Sequence, residues 1–183
     1  MKERNHFIPR VEIPIYEKYD KAVEENNVET LKWFAQFGSS ERESQMLTNA
    51  HWYEQYLQCG YTEQPRFNEY GWLDNANAKE MDAKAEVVNI FRDGFKNAYI
   101  QLLQHPNGLW ISQINYNLSY SGFHGAPSIW NKTYPSRQEA LDAAFDNLIN
   151  NFENSDEKDS KQYLGTIKKM KAESRQTSLF DMF

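Results

Sequence analysis

The sequence has a single cysteine, Cys59, and it has no long apolar run. One thiol excludes an internal disulfide, which is typical of proteins from a reducing compartment. A membrane-spanning helix needs about 20 consecutive apolar residues, so none is predicted. The first residues are charged and lack the apolar core of a secretory signal. These absences predict a cytoplasmic protein with no membrane partner.

Signatures of catalysis and of cofactor binding are also missing. The sequence has no phosphate-binding glycine loop with a lysine, and no marked nucleophile. Its histidines do not have the spacing of metal ligands: His6, His51, His105 and His124. We therefore predict no metal site, no cofactor and no catalytic residue, and we favour a protein that is not an enzyme. His124, on a glycine-containing loop, is where a catalytic role would fit best, although turn geometry also explains its glycines.

Positive charge is scarce. The formal net charge is -6, and the isoelectric point is about 5.3. A broad nucleic-acid-binding surface needs an excess of lysine and arginine, so this composition argues against one. The charge is uneven, however, because an acidic stretch after Phe152 is followed by a basic one that ends at Arg175. The acidic body leaves open a surface that mimics nucleic acid and inhibits a host DNA-processing or defence enzyme.

Aromatic residues are plentiful, at 15% of the chain, and can fill the core of one medium-sized domain. Apolar periodicity predicts helices over 16–25, 28–37 and 40–60, then an aromatic loop over 61–77. The second of these helices has Asn27 as its N-cap, and the third starts with a capping box of Ser40 and Glu43. A further helix is predicted over 78–91. The first half therefore predicts a helical layer.

The period then changes from helical to alternating. Residues 98–104 and 109–118 flank a His-Pro-Asn-Gly turn and predict a β-hairpin, with one more short strand near 128–132. Ser136 and Glu139 form a capping box before a helix over 136–152, whose apolar stripe would cover the sheet. The predicted fold class is α+β, with N-terminal helices and a small antiparallel sheet under a covering helix.

After Phe152 the composition becomes strongly charged and has little to bury. We predict a globular α+β body over 1–152, a charged flexible linker with a basic segment over 153–175, and a terminal peptide over 176–183. A short helix over 166–173 would lie within the linker. The terminal peptide is unusual, because apolar residues at a free chain end are normally folded back or absent.

The terminal peptide reads Gln176, Thr177, Ser178, Leu179 and Phe180. This stretch resembles the pentapeptide by which bacterial polymerases and repair proteins bind the β sliding clamp. That pattern is glutamine, usually leucine, serine or aspartate, leucine and phenylalanine, so only Thr177 departs from it. The peptide is also similar in part to the ligand of the eukaryotic and archaeal clamp. Gln176, Leu179 and Phe183 fit that second pattern, whereas Met182 stands where an aromatic residue is expected.

The resemblance implies that the partner is a DNA polymerase sliding clamp. Leu179 and Phe180 would enter an apolar pocket, with Ser178 and Phe183 as further contacts, while the amide of Gln176 would anchor the other end. A clamp encircles duplex DNA. A docked peptide would therefore bring a basic set close to phosphates, in an indirect DNA contact: Lys168, Lys169, Lys171 and Arg175.

The expected function is that of an accessory protein of DNA replication or repair, encoded by a phage or plasmid, that is recruited to the clamp or competes for it. Two further hypotheses remain open for the body. It would be a DNA-acting enzyme that the tail delivers, or the acidic inhibitor described above. Two others concern the tail, which would fold back on its own body or serve an unrelated peptide-binding partner or degradation pathway.

Overall fold

The computed structural model describes residues 10–75 and 78–180, and it confirms the α+β class. The chain divides into two compact units, Met1–Ala76 and Asn77–Phe183, instead of the single body over 1–152 that the sequence predicted. The reason is the distribution of apolar residues, since the helices of the first half bury their side chains among themselves. None of the helices in the described ranges has the length and apolar content that crossing a membrane requires.

The first unit is helical, as predicted. Its helices are α1 (Ile13–Glu24), α2 (Val28–Phe34) and α3 (Glu43–Gln58), with short 3-10 turns at Arg10–Glu12, Ala35–Phe37 and Ser40–Arg42. Asn27 caps α2 by accepting a 3.0 Å hydrogen bond from the backbone N–H of Thr30. The predicted capping box at Ser40 does not form, because Ser40 belongs to a 3-10 turn and α3 begins at Glu43.

One buried asparagine on α3 holds the loop that follows this helix. The Asn49 amide donates to the carbonyls of Phe37, at 3.0 Å, and Gly71, at 2.8 Å, and it accepts from the N–H of Leu73 at 2.9 Å. The sequence predicted that the loop packs through its aromatic residues. Of the predicted residues Phe67, Tyr70 and Trp72, Trp72 packs against Trp52 of α3, with ring centroids 5.7 Å apart, whereas Tyr70 is 69% exposed. The hydrogen bonds of Asn49 also hold the loop.

The second unit contains the sheet and its covering helices. Its elements are α4 (Ala78–Lys84), β1 (Glu86–Asp93), β2 (Lys96–Gln104), β3 (Trp110–Asn117), β4 (Gly122–Phe123), β5 (Thr133–Tyr134), α5 (Arg137–Glu153) and α6 (Lys158–Phe180). The strands are antiparallel in the order β1-β2-β3-β4, and β5 pairs with the other end of β3. The predicted hairpin is therefore β2 and β3.

Two local predictions for this unit are wrong. The helix predicted over 78–91 ends at Lys84, and β1 follows, with Val87 paired to Gln101 and Val88 to Ile100. Its β-branched and aromatic residues suit a strand, and the pairing with β2 is a nonlocal interaction that outweighs local helical periodicity. The short strand predicted near 128–132 is likewise replaced by β4 and β5 on either side of it.

Helix α5 covers one face of the sheet, as predicted. Ser136 caps the helix as predicted: its hydroxyl accepts a 3.2 Å hydrogen bond from the N–H of Glu139 and donates to the Glu139 carboxylate at 3.0 Å. The apolar stripe of α5 is buried against β2 and β3: Ala140, Leu141, Ala144, Phe145, Leu148 and Phe152. This stripe forms most of the helical side of the core.

The predicted flexible linker over 153–175 is wrong for most of its length, because α6 begins at Lys158 and packs against α5 and β1. Tyr163 and Ile167 enter the core one helical turn apart, with Leu164 and Met170 beside them. The charged composition suggested disorder because few apolar residues are present. Those few lie on one face, however, and that is sufficient when a folded surface is there to cover.

Candidate functional site

The terminal motif begins at the end of a docked helix. The backbone of Gln176–Phe180 continues α6. The side chains of Gln176, Ser178, Leu179 and Phe180, and the whole of Phe183, lie outside the described residues, so the predicted contacts stay predictions. A clamp ligand of this type binds in an extended form. The last turn of α6 would therefore have to unwind on binding.

The basic residues predicted to approach DNA are all paired with acids. The pairs are Lys168 with Glu153 (2.7 Å), Lys169 with Glu173 (3.7 Å), Lys171 with Asp146, and Arg175 with Asp142 (3.1 Å). Three of them join α6 to α5 and run antiparallel along the two helices. Exposed ion pairs contribute at most about 1 kcal/mol each, so phosphates can compete for the exposed cations, whereas the side chain of Lys171 is only 15% exposed. The pairs nevertheless reduce the basic field that the sequence alone suggested.

In the loop that carries His124, the two glycines lie where neighbouring atoms leave little room for a side chain. The N–H of Gly125 donates to Oδ1 of Asn115 at 2.8 Å, and a Cβ there would lie 3.0 Å from the Gln113 side chain. A Cβ on Gly122 would lie 3.2 Å from the carbonyl oxygen of Tyr116. His124 itself is exposed. This geometry supports the structural explanation of the loop that the sequence analysis favoured.

The face of the sheet opposite α5 and α6 carries mainly amide side chains, together with Tyr99 and Arg92. Strand pairing sets them in cross-strand rows, in which Tyr99 on the central strand lies between Asn89 of β1 and Asn115 of β3. The amides of this face are Asn89, Asn97, Gln101, Gln113, Asn115 and Asn117. We call this surface the amide face.

Part of the amide face is a closed hydrogen-bond network. Gln101 donates to the carboxylate of Asp82 on α4 and accepts from Asn115 at 2.9 Å. Asn115 accepts in turn from Gly125. Gln101 is 5% exposed and Asn115 is 2% exposed, so their polar groups have to be satisfied internally. This end of the face is structural.

The β1 and β2 side of the amide face forms the floor of a cavity of about 540 Å³. It is lined by Asp82, Val87, Asn89, Phe91, Arg92, Gly94, Phe95, Asn97, Tyr99 and Gln101. Arg92 is exposed and lies opposite Asn97 in the strand register. Nδ2 of Asn97 donates to the carbonyl of Phe95 at 3.1 Å, whereas its Oδ1 is buried without a hydrogen-bond partner in the described part of the chain.

A second cavity of about 390 Å³ lies between β3 and α5. Its lining includes Lys132, whose Nζ lies 5.2 Å from the centroid of the Tyr134 ring. Other lining residues are Ser112, Tyr116, Phe123, Asn131, Asn147 and Asn151. The alanines Ala143 and Ala144 on α5 leave this space open. Its polar lining is already engaged in part, since Asn131 donates to Gln113 at 2.9 Å and Asn151 to Asn147 at 2.9 Å.

The strongest electrostatic feature of the unit lies at the start of α6. The ammonium of Lys96, at 2.7 Å, and then Ser119 hold the pKa of Asp159 down to about 2. One turn further along, Tyr163 donates a 2.6 Å hydrogen bond to Asp93, and that bond is the main reason why the pKa of the Tyr163 hydroxyl is raised. Both contacts fasten α6 to the hairpin of β1 and β2, and they point to a structural role.

Within residues 10–75 and 78–180, no group of three or more metal-ligating side chains comes together. Comparisons with protein-family models, with curated proteins and with solved structures give no match. The sequence analysis missed the amide face. Its signal was the alternation of amide or tyrosine with apolar residues in the segments that became β2 and β3.

Proposed function

We propose that this protein binds a DNA sliding clamp through its terminal residues and acts as an accessory factor of DNA replication or repair. The observation that carries the proposal is the agreement of Gln176, Ser178, Leu179 and Phe180 with the clamp-binding pattern. Leu179 and Phe180 would each contribute about 1.5–3 kcal/mol when fully buried in a clamp pocket.

The position of the motif supports this use. Arg175, directly before Gln176, is held by Asp142 of α5, and Ile167 anchors α6 in the core two turns earlier. The peptide therefore starts from a fixed point on the second unit and not from a long flexible linker. Unwinding the last turn opposes binding, so we expect micromolar affinity.

The experiment is calorimetric titration of the full chain with a purified bacterial β clamp. Replacing Leu179 and Phe180 together with alanine should weaken binding more than a hundredfold, which corresponds to about 3 kcal/mol. Gln176→Ala should have a smaller effect, because it removes only the polar anchor. Thr177→Ala is the matched control, since it alters the position that departs from the pattern.

The melting temperature of the double variant distinguishes the proposal from a folded-back tail. In our proposal these side chains act only when the clamp is present, so the melting temperature should stay the same. A double variant that binds the clamp as tightly as the parent chain would refute the proposal. If the parent chain does not bind the clamp and the double variant melts several degrees lower, the tail packs against the protein's own core.

A further inference from the structure

The cavity on the amide face has a tyrosine on the central strand of its floor. Tyr99 stands between Asn89 and Asn115 across the strands and between Asn97 and Gln101 along its own strand. It is partly exposed and lines the cavity. A flat aromatic ring on an open sheet offers a surface on which another planar group can stack. The rim carries a second aromatic ring, that of Phe95, which is 62% exposed.

The amides around this ring suit an uncharged polar ligand with both donors and acceptors. An exposed sheet face is usually covered with charged side chains, whereas this one carries amides that each offer donors and an acceptor. Asparagine and glutamine form paired hydrogen bonds with the edges of nucleobases. Oδ1 of Asn97 is left without a partner in the described residues, and Asn89 is exposed.

A single cation stands beside the ring. Arg92 is exposed, lies across from Asn97, and has no ion-pair partner among the described residues. Two carboxylates lie nearby and keep their negative charge: Asp93 accepts from Tyr163, and Asp82, which also lines the cavity, accepts from Gln101. A guanidinium group binds phosphate through two parallel hydrogen bonds. The cavity thus combines a stacking ring, the amides of Asn89 and Asn97, and one cation, Arg92, that can bind an anion.

We propose that this cavity binds one nucleotide, with its base against Tyr99 and its phosphate at Arg92. A volume of about 540 Å³ lies in the range of small-molecule sites and accommodates one such ligand. Because Arg92 is the one cation among the described residues that line the cavity, the site does not require the broad basic surface that the net charge of -6 argues against. The proposal is independent of the terminal motif.

The test is an NMR titration of the full chain with the separate nucleoside monophosphates of adenine, guanine, cytosine and uracil. A parallel titration uses single-stranded oligonucleotides of about eight residues, in the range of site sizes for strand-binding domains. At least one probe should bind and shift the side-chain amide signals of Asn89 and Asn97. Equal affinity for a monophosphate and the oligonucleotide of the same base assigns the site to a free nucleotide. Tighter binding of the oligonucleotide assigns it to a single strand.

Tyr99→Leu and Arg92→Gln should each weaken binding tenfold or more, whereas Tyr99→Phe should retain it. The matched controls are Tyr120→Leu, which alters a tyrosine that is 94% exposed outside the cavity, and Lys161→Gln, which removes an exposed cation from α6. Arg92 is exposed, so its variant tests the site even if Tyr99→Leu fails to fold. The proposal is overturned if neither probe class binds, or if Arg92→Gln and Tyr99→Leu bind as the parent chain does.

Discussion

The same strands form both faces of the sheet in the second unit, but one face is apolar and covered by helices and the other is polar. On β2, Ala98, Ile100 and Leu102 are buried beneath α5 and α6. The residues between them, Asn97, Tyr99 and Gln101, belong to the amide face. Period-two alternation in one strand therefore separates the apolar surface that packs against the helices from a polar surface, of which the part around Asn97 and Tyr99 is available for recognition.

The two faces should also differ in the free energy of unfolding that a substitution removes. Apolar side chains on the covered face are stabilising in proportion to the area they remove from water, at about 25 cal/mol per Å². Amides on the other face contribute through hydrogen bonds, whose net contribution is about 1 kcal/mol each. We expect substitutions on the covered face to unfold the unit, and most substitutions on the amide face to alter binding with little effect on folding.

The largest effect should come from a charge placed under α6. Ile167 is fully buried, so Ile167→Asp would place an unpaired carboxylate in the core and destabilise the unit by more than about 3 kcal/mol. Urea unfolding followed by circular dichroism measures this loss. The neighbouring Thr166→Asp is the control, since Thr166 is exposed. Equal free energies of unfolding for the two variants would instead support the flexible linker that the sequence predicted.

A smaller effect should come from the closed network on the amide face. Asn115→Ala leaves the N–H of Gly125 and the acceptor of Gln101 without their partner, which should cost about 1–3 kcal/mol. Asn89→Ala removes an exposed amide of the same face and should cost less than about 0.5 kcal/mol. The same urea experiment compares them. If Asn89→Ala were as harmful as Asn115→Ala, the amide face would be structural throughout.

Local patterns predicted the elements whose signals are contained in one stretch of chain. The hairpin of β2 and β3 and the covering helix α5 belong to this group, because alternation, a turn sequence and a capping box specified them. Two elements were missed where the decisive contact is distant in sequence. Val88 belongs to a strand because β2 pairs with it, and α6 is ordered because Ile167 finds a core to enter.

The candidate sites differ in the same way. The terminal motif is contiguous, so the sequence alone could indicate it. Whether it binds depends on a partner protein. The amide face combines Arg92 of β1 with Tyr99 of β2, and their proximity follows only from strand register. A bulge between Asn89 and Phe91 shifts the alternation of β1 by one residue and so places Arg92 on the amide face. Period-two counting from Val87 would have placed Arg92 on the covered face.

A further prediction concerns pH and the contact that joins α6 to the hairpin. The pKa of Asp159 is lowered to about 2, whereas an unfolded aspartate has a pKa of about 3.9. A carboxyl group with a lowered pKa contributes stability that is fully present above the unfolded value and is lost as the pH falls through the folded value. Asp159→Asn should therefore melt below the parent chain at pH 6. The gap between the two melting temperatures should narrow from about pH 4 towards pH 2, and a constant gap would contradict the ion pair with Lys96.

The smallest effect on folding should come from Phe95, at the rim of the amide face. Phe91 of the same hairpin packs on the covered face and gives a direct comparison. Phe91 is stacked on Tyr163 with ring centroids 3.9 Å apart, whereas Phe95 is 62% exposed. Phe95→Ser should leave the free energy of unfolding within about 0.5 kcal/mol, because the Phe95 carbonyl that accepts from Asn97 and Asn117 is retained. Phe91→Ser should cost at least about 2 kcal/mol through loss of buried surface. Urea unfolding of both variants provides the measurement. Comparable losses would mean that the ring of Phe95 is part of the fold and that the two faces of the sheet are less distinct than their burial indicates.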